Sequence, residues 1–413
     1  MRDLLVLFSN KRFTTLWFAR TISNFGNGMA PIAVSFGVLG LEGATAGDLG
    51  TVLAAHAIPV VLMLPLGGVL ADRLPRAFVI SVTDLILSVF IAAVGVLFIT
   101  DRATVLNLAL IHVVAGVLNA LWWPAFPGLV PAVMQERDLQ QANGLLAIGS
   151  NGGMVFGTAA GGVITAFIGP GWAILIDACT FLIAGALVWT FRDVAPAGGA
   201  GESMIRDLHD GWKTFLSFRW VWAIVAAFSV IVACMRAGFD VAGPVLMKAE
   251  YSGAASWAVI QTGQSIGYVL GAMLATRVRP ARPLVYSLFF TLTMPVLLIM
   301  LALNSPLWLL AIGGVLIGMC WDQWGVYWTT ALQTHIPRDS LSRVSSFDAM
   351  GSLVFGPVGL AVAGPAIAAF GVSDVMLGCA AITVLVLALP LLEREVRELR
   401  WVDPEPVTAA NGD

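Results

Sequence analysis

The sequence predicts an all-α polytopic membrane protein with twelve transmembrane helices in two pseudo-symmetric six-helix bundles and both termini in the cytoplasm. This prediction rests on the composition, the spacing of the apolar segments and a repeated charged turn. Of the 413 residues, 58% are hydrophobic and only 11% are charged, and the mean hydropathy is +0.88. A soluble domain of this size has roughly 25% charged residues, so most of this chain must face lipid.

Apolar segments of about 20 residues, the length that crosses the hydrocarbon core as a helix, recur along the whole chain. We predict helices near 13–38, 47–70, 77–99, 104–127, 142–167, 171–191, 221–243, 254–276, 283–303, 306–330, 345–369 and 373–392. An even number of crossings puts both termini on one side. Most of the 22 basic residues fall on that side, and only Arg102 and Lys248 fall on the other. The positive-inside rule therefore makes the side of the termini cytoplasmic.

These spans divide the chain into four regions. Residues 1–191 form the predicted N-terminal six-helix bundle, and residues 220–392 form the C-terminal one. Residues 192–219 hold a Gly/Ala stretch and an amphipathic segment, which suit a cytoplasmic linker. Residues 393–413 form a cytoplasmic tail. The four cysteines fall inside apolar spans, where they form neither a disulfide framework nor a CxxC metal site, and we expect no metal and no cofactor.

A charged turn between predicted helices 2 and 3 is repeated about 200 residues later. The first copy is Gly68–Arg76, and a degraded copy occupies Ala272–Pro280. Further matches, such as Val155–Gly157 with Val354–Gly356, indicate a duplicated chain. Two parallel repeats related by an axis along the membrane normal place a cargo site near the midplane, between the halves.

The first copy of the turn, G-x-L-A-D-R-x-x-R, resembles the signature loop of the major facilitator superfamily. This resemblance implies the fold of that family and a transport function. In the family the loop acts as a latch for the outward-facing state, which implies a gating role for Gly68, Asp72, Arg73 and Arg76. A carboxylate here can also stabilise the N-terminus of a neighbouring helix. The alternative is a charged turn that only anchors the helices. Thr276 replaces the acid in the second copy, so the predicted latch is one-sided.

Predicted helix 5 carries a glycine series that resembles the exporter-associated motif of the superfamily at every glycine. The series consists of Gly144, Gly153, Gly157, Gly161 and Gly162. Thr158 stands where the family has proline, although a threonine can bend a helix by bonding back to a carbonyl, and Gly356-Pro357 offers a kink in helix 11. The resemblance implies gating by Gly153, Gly157, Gly161 and Gly162 and favours export. The alternative is small-residue packing without a bearing on direction.

The resemblance implies that helices 1, 4, 7 and 10 line the cavity. In helix 1, Arg20, Asn24 and Asn27 share one face. The stretch around them resembles drug and siderophore exporters of the macrolide-efflux and enterobactin-export type, many of which have an acid where Asn27 stands. Arg20 could instead snorkel to the surface. In helix 4 the candidates are His112, Asn119, Trp122 and Trp123, and a single histidine is more typical of packing than of proton relay.

Helix 7 carries Arg236 and Asp240 at a spacing that lets them pair, and we predict that Arg236 gates. Helix 10 carries a tryptophan stripe with Asp322 beside it, ~24 Å along the helix from Pro306. Aromatic rings with a carboxylate suit an aromatic, amphipathic or cationic cargo. The predicted cargo contacts are Asn24, Asn27, Asn119, Trp123, Asp322, Trp324, Tyr327 and Trp328.

A carboxyl group inside the membrane is a candidate proton carrier. Asp322 is favoured because it is deep and has no basic neighbour within a turn, and Asp177 and Asp240 are the next candidates. Asp84 and Asp348 lie near the cytoplasmic end and are assigned to the latch region.

Together these features predict a secondary transporter of a bacterial inner membrane. It is expected to export small amphipathic organic molecules of the drug, antibiotic or siderophore type in exchange for protons, as a monomer in the lipid bilayer. Two alternatives remain open: an uptake symporter or facilitator of the same fold, and a non-transporting membrane receptor. No HExxH or P-loop string indicates an enzyme, and the one GxSxG string, Gly263–Gly267, lies inside predicted helix 8 and not at the strand-to-helix turn that such a nucleophile requires. No basic patch indicates nucleic-acid binding.

Overall fold

The computed structural model describes residues 7–135, 138–193 and 212–400, without the side chains of residues 65, 68–73, 338, 339, 342, 343 and 346. Within these ranges all regular structure is helical, as the sequence predicts. The predicted linker falls largely on residues outside the described ranges, so the domain boundaries stay predictions. At its end, residues 212–217 are helical, and Trp212 and Phe215 pack against Phe347.

The first half of the chain forms six long helices. They are α1 (Lys11–Leu39), α2 (Ala46–Arg73), α3 (Arg76–Ile99), α4 (Val105–Ala125), α5 (Leu139–Phe167) and α6 (Pro170–Trp189). A short helix, Leu129–Val133, lies between α4 and α5.

The second half begins with α7, which has three segments: Arg219–Met235, a π-helical turn Arg236–Val241, and Ala242–Glu250. It continues with α8 (Ala254–Arg277), α9 (Pro283–Thr291 and Thr293–Ala302), α10 (Leu307–His335), α11 (Arg338–Leu353 and Gly356–Phe370) and α12 (Val372–Ala388). Two short helices follow, Pro390–Leu392 and Arg394–Glu398.

Nine helices of the described ranges are long and apolar enough to cross a membrane. The other three long helices, α1, α5 and α8, have 24 to 29 residues and coincide with predicted spans, but they are more polar. The number of twelve crossings and the orientation of the chain therefore stay predictions.

Two local features that the sequence offers are present in the structure. The break in α11 falls just before Gly356-Pro357, where the sequence offers a kink. In α5 the Thr158 hydroxyl donates to the carbonyl of Met154 at 2.8 Å, which is the back-bonding expected of threonine.

The same helix pairs form in each half of the chain. In the first half α1 packs on α5, α2 on α4 and α3 on α6; in the second half α7 packs on α11, α8 on α10 and α9 on α12. This recurrence is the structural counterpart of the repeated sequence motifs. Between the halves, the most extensive contacts are those of α5 with α8 and of α2 with the second segment of α11.

Glycines let the paired helices approach backbone to backbone. In α10, a Cβ atom at Gly318 would collide with the carbonyl oxygen of Gln264 and the Cα atom of Gly267 in α8. In α8, a Cβ atom at Gly271 would collide with the backbone of Met319. Small residues are the usual means of close helix packing in membranes, where the hydrophobic effect does not drive helices together.

Candidate functional site

The two halves of the chain meet at one end of the molecule, which we call the closed end. Here Gly50 of α2 lies against the carbonyl of Leu360 in α11. Gly162 of α5 lies against the side chain of Ala258 in α8. The loops 40–45, 168–169 and 251–253 are at this end, which is the periplasmic side in the predicted orientation.

A lysine completes the closed end. The ammonium group of Lys248, in the last turn of α7, donates a hydrogen bond to the carbonyl oxygen of Leu39 at the C-terminus of α1. Helix α1 has no basic residue in its own last turn, so the other half of the chain supplies the cation that favours a helix C-terminus. Beside it, a Cβ atom at Gly253 would lie 3.7 Å from the ring of Phe36. Lys248 is one of the two basic residues predicted on this side.

Replacing Lys248 with methionine is expected to loosen the closed end, because it removes a contact worth about 1 kcal/mol. We expect a Ser35→Cys reporter, which lines the cavity behind this end, to be labelled several-fold faster by a water-soluble maleimide. Arg102→Met is the matched control, since Arg102 is exposed in another loop on the same predicted side. Equal labelling rates in the lysine variant and the control would contradict the prediction.

A cavity of about 990 Å³ lies between the halves, behind the closed end. It extends toward the opposite end, where Trp123 is 63% exposed. Nine of the predicted site residues line it: Asn27, Asn119, Trp123, Asp177, Arg236, Asp240, Asp322, Trp324 and Trp328.

Two predicted cargo contacts lie elsewhere and are not retained. Tyr327 is fully buried, and its hydroxyl donates to the carbonyl of Val278 at 2.6 Å. Asn24 is buried and donates to the carbonyl of Arg20 at 2.9 Å. Both side chains share a helix with cavity residues, but neither lines the cavity.

One wall of the cavity is a column of nearly parallel aromatic rings. The rings of Phe228 and Trp324 stack at 4.2 Å with an angle of 22°, and those of Trp324 and Trp328 lie 5.9 Å apart at 15°. The indole of Trp328 donates to Asp348 at 2.8 Å. Asp322 lines the same cavity and is half-buried. The sequence missed Phe228, because nothing distinguishes it from the other apolar residues of α7.

The predicted pair of Arg236 and Asp240 forms in α7, with 2.6 Å between Nη1 and Oδ2. It lies on the π-helical turn of this helix, and such turns often occur at functional sites. Because both side chains line the cavity, the cavity wall here carries two opposite charges that neutralise each other.

Two histidines form a polar cluster that the sequence reveals only in part. The Nδ2 atom of Asn119 lies 2.9 Å from Nε2 of His56, and the rings of His56 and His112 are 6.5 Å apart. Nδ1 of His112 bonds the carbonyl of Leu108 at 2.8 Å. The sequence prediction treats His112 as a single histidine and misses His56, because helix 2 is not expected at the cavity. The only available signal is that His56 interrupts an apolar span.

Asp177 of α6 is the most enclosed acid of the cavity wall. Its side chain is 1% exposed, and its Oδ1 atom has no hydrogen-bond partner among the described residues. The neighbouring Thr180 hydroxyl donates to the backbone carbonyl of Asp177 at 2.7 Å. Helix α1 passes close by at Gly26, where a Cβ atom would collide with both side chains.

Arg20 does not snorkel to the surface. Its guanidinium lies over the rings of Trp122 and Phe126, 4.5 and 4.3 Å from their centroids, and it attracts the buried Asp84 of α3. These residues do not line the cavity, so they form a separate charged cluster among α1, α3 and α4.

Comparison with known proteins agrees with this architecture. The family model described as Major Facilitator Superfamily matches residues 16–359. The chain belongs to the Major Facilitator Superfamily. It is 25% identical to the multidrug efflux pump Tap of Mycolicibacterium fortuitum over 390 residues, which cover 91% of this chain and 92% of the relative. It is 29% identical to the quinolone resistance protein NorA of Staphylococcus aureus over 157 residues, 37% of this chain and 38% of that relative.

Solved structures of the superfamily share the fold. The crystal structure of the nucleoside transporter NupG superposes with a TM-score of 0.72 at 14% identity and covers 92% of this chain and 98% of its own. The chain is therefore a transporter of the Major Facilitator Superfamily and not an enzyme, as predicted. Its relatives are bacterial, and with its apolar helices it is a multi-pass protein of a bacterial inner membrane.

The superfamily loop that predicts a latch is described only in part. The side chains of Gly68, Asp72 and Arg73 lie outside the described part of the chain. The guanidinium of Arg76 lies over Gly128, at the start of the short helix Leu129–Val133. The gating role of this loop stays a prediction.

The superfamily glycine series of α5 faces two partners. Gly153, Gly157 and Gly161 lie against the backbone of α1, within the same half of the chain. Gly162 faces α8 across the closed end, whereas Gly144 meets no neighbouring atom within 4 Å. The series therefore serves helix packing, and at Gly162 it also serves the contact between the halves.

Proposed function

We propose that this protein exports small, amphipathic, cationic aromatic molecules in exchange for protons, by alternating access. One observation carries the proposal: a ring column of Phe228, Trp324 and Trp328 lines the same cavity as Asp322. Aromatic faces attract cations. A half-buried carboxylate, which no described side chain engages by a hydrogen bond, offers a countercharge.

The closed end supports alternating access as the mechanism. Contacts between the halves are concentrated at one end, and the cavity extends toward the other, as expected when two repeats rock around a central site. In the predicted orientation this state takes up cargo from the cytoplasm. Asn27, Asn119 and Trp123 line the cavity with Asp322 and provide polar and aromatic contacts. Arg236, the α5 glycines and the loop with Asp72 would control the change of state.

Export is supported by two relatives that are named for drug efflux and drug resistance. The coupling proton is assigned to the cavity acids Asp322, Asp177 and Asp240, of which Asp240 already has Arg236 as its partner. We propose that the protein works as a monomer, since each chain contains a complete cavity.

Transport of tetraphenylphosphonium, an aromatic cation, tests this function in proteoliposomes containing protein of one orientation. We expect an imposed proton gradient to drive the probe from the side of the termini to the other side. Asp322→Asn is expected to weaken probe binding about tenfold, the effect of losing about 1.4 kcal/mol of attraction. Asp101→Asn is the control: Asp101 is an exposed loop residue with φ of 53°, which asparagine tolerates.

The same assay separates the alternatives. Probe movement toward the side of the termini would support an uptake symporter or facilitator. Binding without movement would support a receptor. Unchanged binding in Asp322→Asn would remove this carboxylate from the cargo site.

A further inference from the structure

We propose that Asp177 of α6 carries the coupling proton, while Asp322 is left to contact the cargo. This inference rests on the proposed proton-coupled export and divides its two tasks between the halves of the chain. It replaces the sequence-based preference for Asp322 as the proton carrier.

The surroundings of Asp177 carry the argument. This residue lines the cavity but is 1% exposed, and its Oδ1 atom has no hydrogen-bond partner in the described structure. The one nearby hydroxyl, on Thr180, uses its proton on a backbone carbonyl. A charged carboxylate with one oxygen buried and without a donor is very costly in such a place, whereas a neutral carboxylic acid costs much less. In this state Asp177 therefore holds a proton.

No cation on the described helices around α6 compensates Asp177. Helix α6 packs against α1, α3 and α5, and α5 has no ionisable side chain. On α1 the nearest basic residue is Arg20, ~9 Å along the helix from the Gly26 contact, and it attracts Asp84 of α3. Helix α3 has one basic residue, Arg76, which lies at the far end of that helix, in its first turn.

The other acids that line the cavity have hydrogen-bonding partners or are in contact with solvent. Asp240 is paired with Arg236 at 2.6 Å. Asp348 accepts hydrogen bonds from Trp328 at 2.8 Å and from Ser352 at 3.4 Å. Asp322 is half-buried and faces the cavity, where a cationic cargo can reach it. Asp177 is thus the acid whose surroundings favour a bound proton over a bound cation.

The proton step is a simple exchange with water in the cavity. When the cavity opens at the end that is closed here, water delivers a proton and an O–H bond forms on the Asp177 carboxylate. When the cavity is open at the opposite end, as here, cargo binding breaks that bond and the proton returns to water. Because Asp177 lines the cavity, the change of state moves its access from one side to the other.

Asp177→Asn tests the inference, because asparagine has the shape of the protonated acid and cannot release a proton. At a pH low enough to keep Asp177 protonated in wild type, we expect tetraphenylphosphonium to bind the variant with an affinity within about twofold of wild type. At higher pH the wild-type affinity should rise, because probe binding releases the proton, and that of the variant should not. Exchange of labelled for unlabelled probe without a gradient should persist. Accumulation driven by a proton gradient, and proton release on probe binding in detergent, should be lost. Gradient-driven accumulation by Asp177→Asn at the wild-type level would overturn the inference.

Failure of the proposed function has a different signature, namely a wild-type protein that does not move the probe. A second measurement uses the wild-type protein, so it tests the assignment even where Asp177→Asn does not fold. Dicyclohexylcarbodiimide reacts with protonated carboxyl groups in apolar surroundings. Mass spectrometry of peptides from the wild-type protein then locates the adduct. We expect modification at Asp177 and not at Asp240. An unmodified Asp177 would overturn the assignment.

Discussion

Replacing Gly318 with leucine is expected to prevent α8 and α10 from packing and to cause a large loss of stability. Even a Cβ atom at this position would collide with Gln264 and Gly267 backbone atoms, which no side-chain rotation can relieve. Overpacking typically costs about 1–3 kcal/mol, and a leucine against backbone on a central helix pair should exceed about 3 kcal/mol. The measurement is the midpoint of thermal aggregation in detergent, followed by size-exclusion chromatography.

The matched control lies two turns further along the same helix. Gly325 is exposed and has no neighbour within 4 Å of an added Cβ atom. Gly325→Leu should retain or slightly raise the midpoint, since glycine inside a helix costs about 0.5–1 kcal/mol relative to alanine. Equal midpoints for the two variants would show that α8 and α10 do not approach as described.

The second large effect is expected on transport. Gly162→Leu places a side chain against Ala258 at the contact between α5 and α8, so it disfavours the state in which this end is closed. A strain of about 1–3 kcal/mol shifts the balance between states by about 5- to 150-fold. We expect the protein to fold, to lose most of its transport, and to label faster at a Ser35→Cys reporter.

Gly144→Leu is the control for this prediction. It changes the first glycine of the same series, which meets no neighbouring atom, and should leave both transport and labelling unchanged. If Gly162→Leu transported normally, contact of the halves at this point would not be needed in the cycle. If both variants lost transport, the glycines would be needed along the whole of α5 and not specifically at the contact with α8.

Much of the fold follows from the sequence because the bilayer fixes the length of an apolar helix. The predicted spans 13–38 and 104–127 correspond to α1 and α4 within about three residues at each end. The break of α9 at Leu292 and the π turn of α7 could not be predicted, because their residues look like those of any apolar helix. These features depend on neighbours that sequence patterns do not specify.

The site was predictable where a polar group interrupts an apolar span. This rule finds Asn119, Asp177 and Asp322, which line the cavity. It cannot say which neighbour a helix face meets, so it places Tyr327 and Asn24 at the cavity, whereas both lie elsewhere. The rule does not find His56 of α2, which lines the cavity, for the same reason. The sequence pattern predicts which side chains share one face of a helix, but only the packed structure shows what that face contacts.

The π turn of α7 gives this helix a means of rotation. A π turn holds about one residue more than an α turn, so its conversion to α-helix would turn Ala242–Glu250 by about 100° relative to Arg219–Met235. Asp240 lies on the turn and Lys248 lies beyond it. One local change of hydrogen bonding in the cavity wall would thus carry Lys248 away from Leu39, which would join the backbone conformation beside Asp240 to the opening of the closed end.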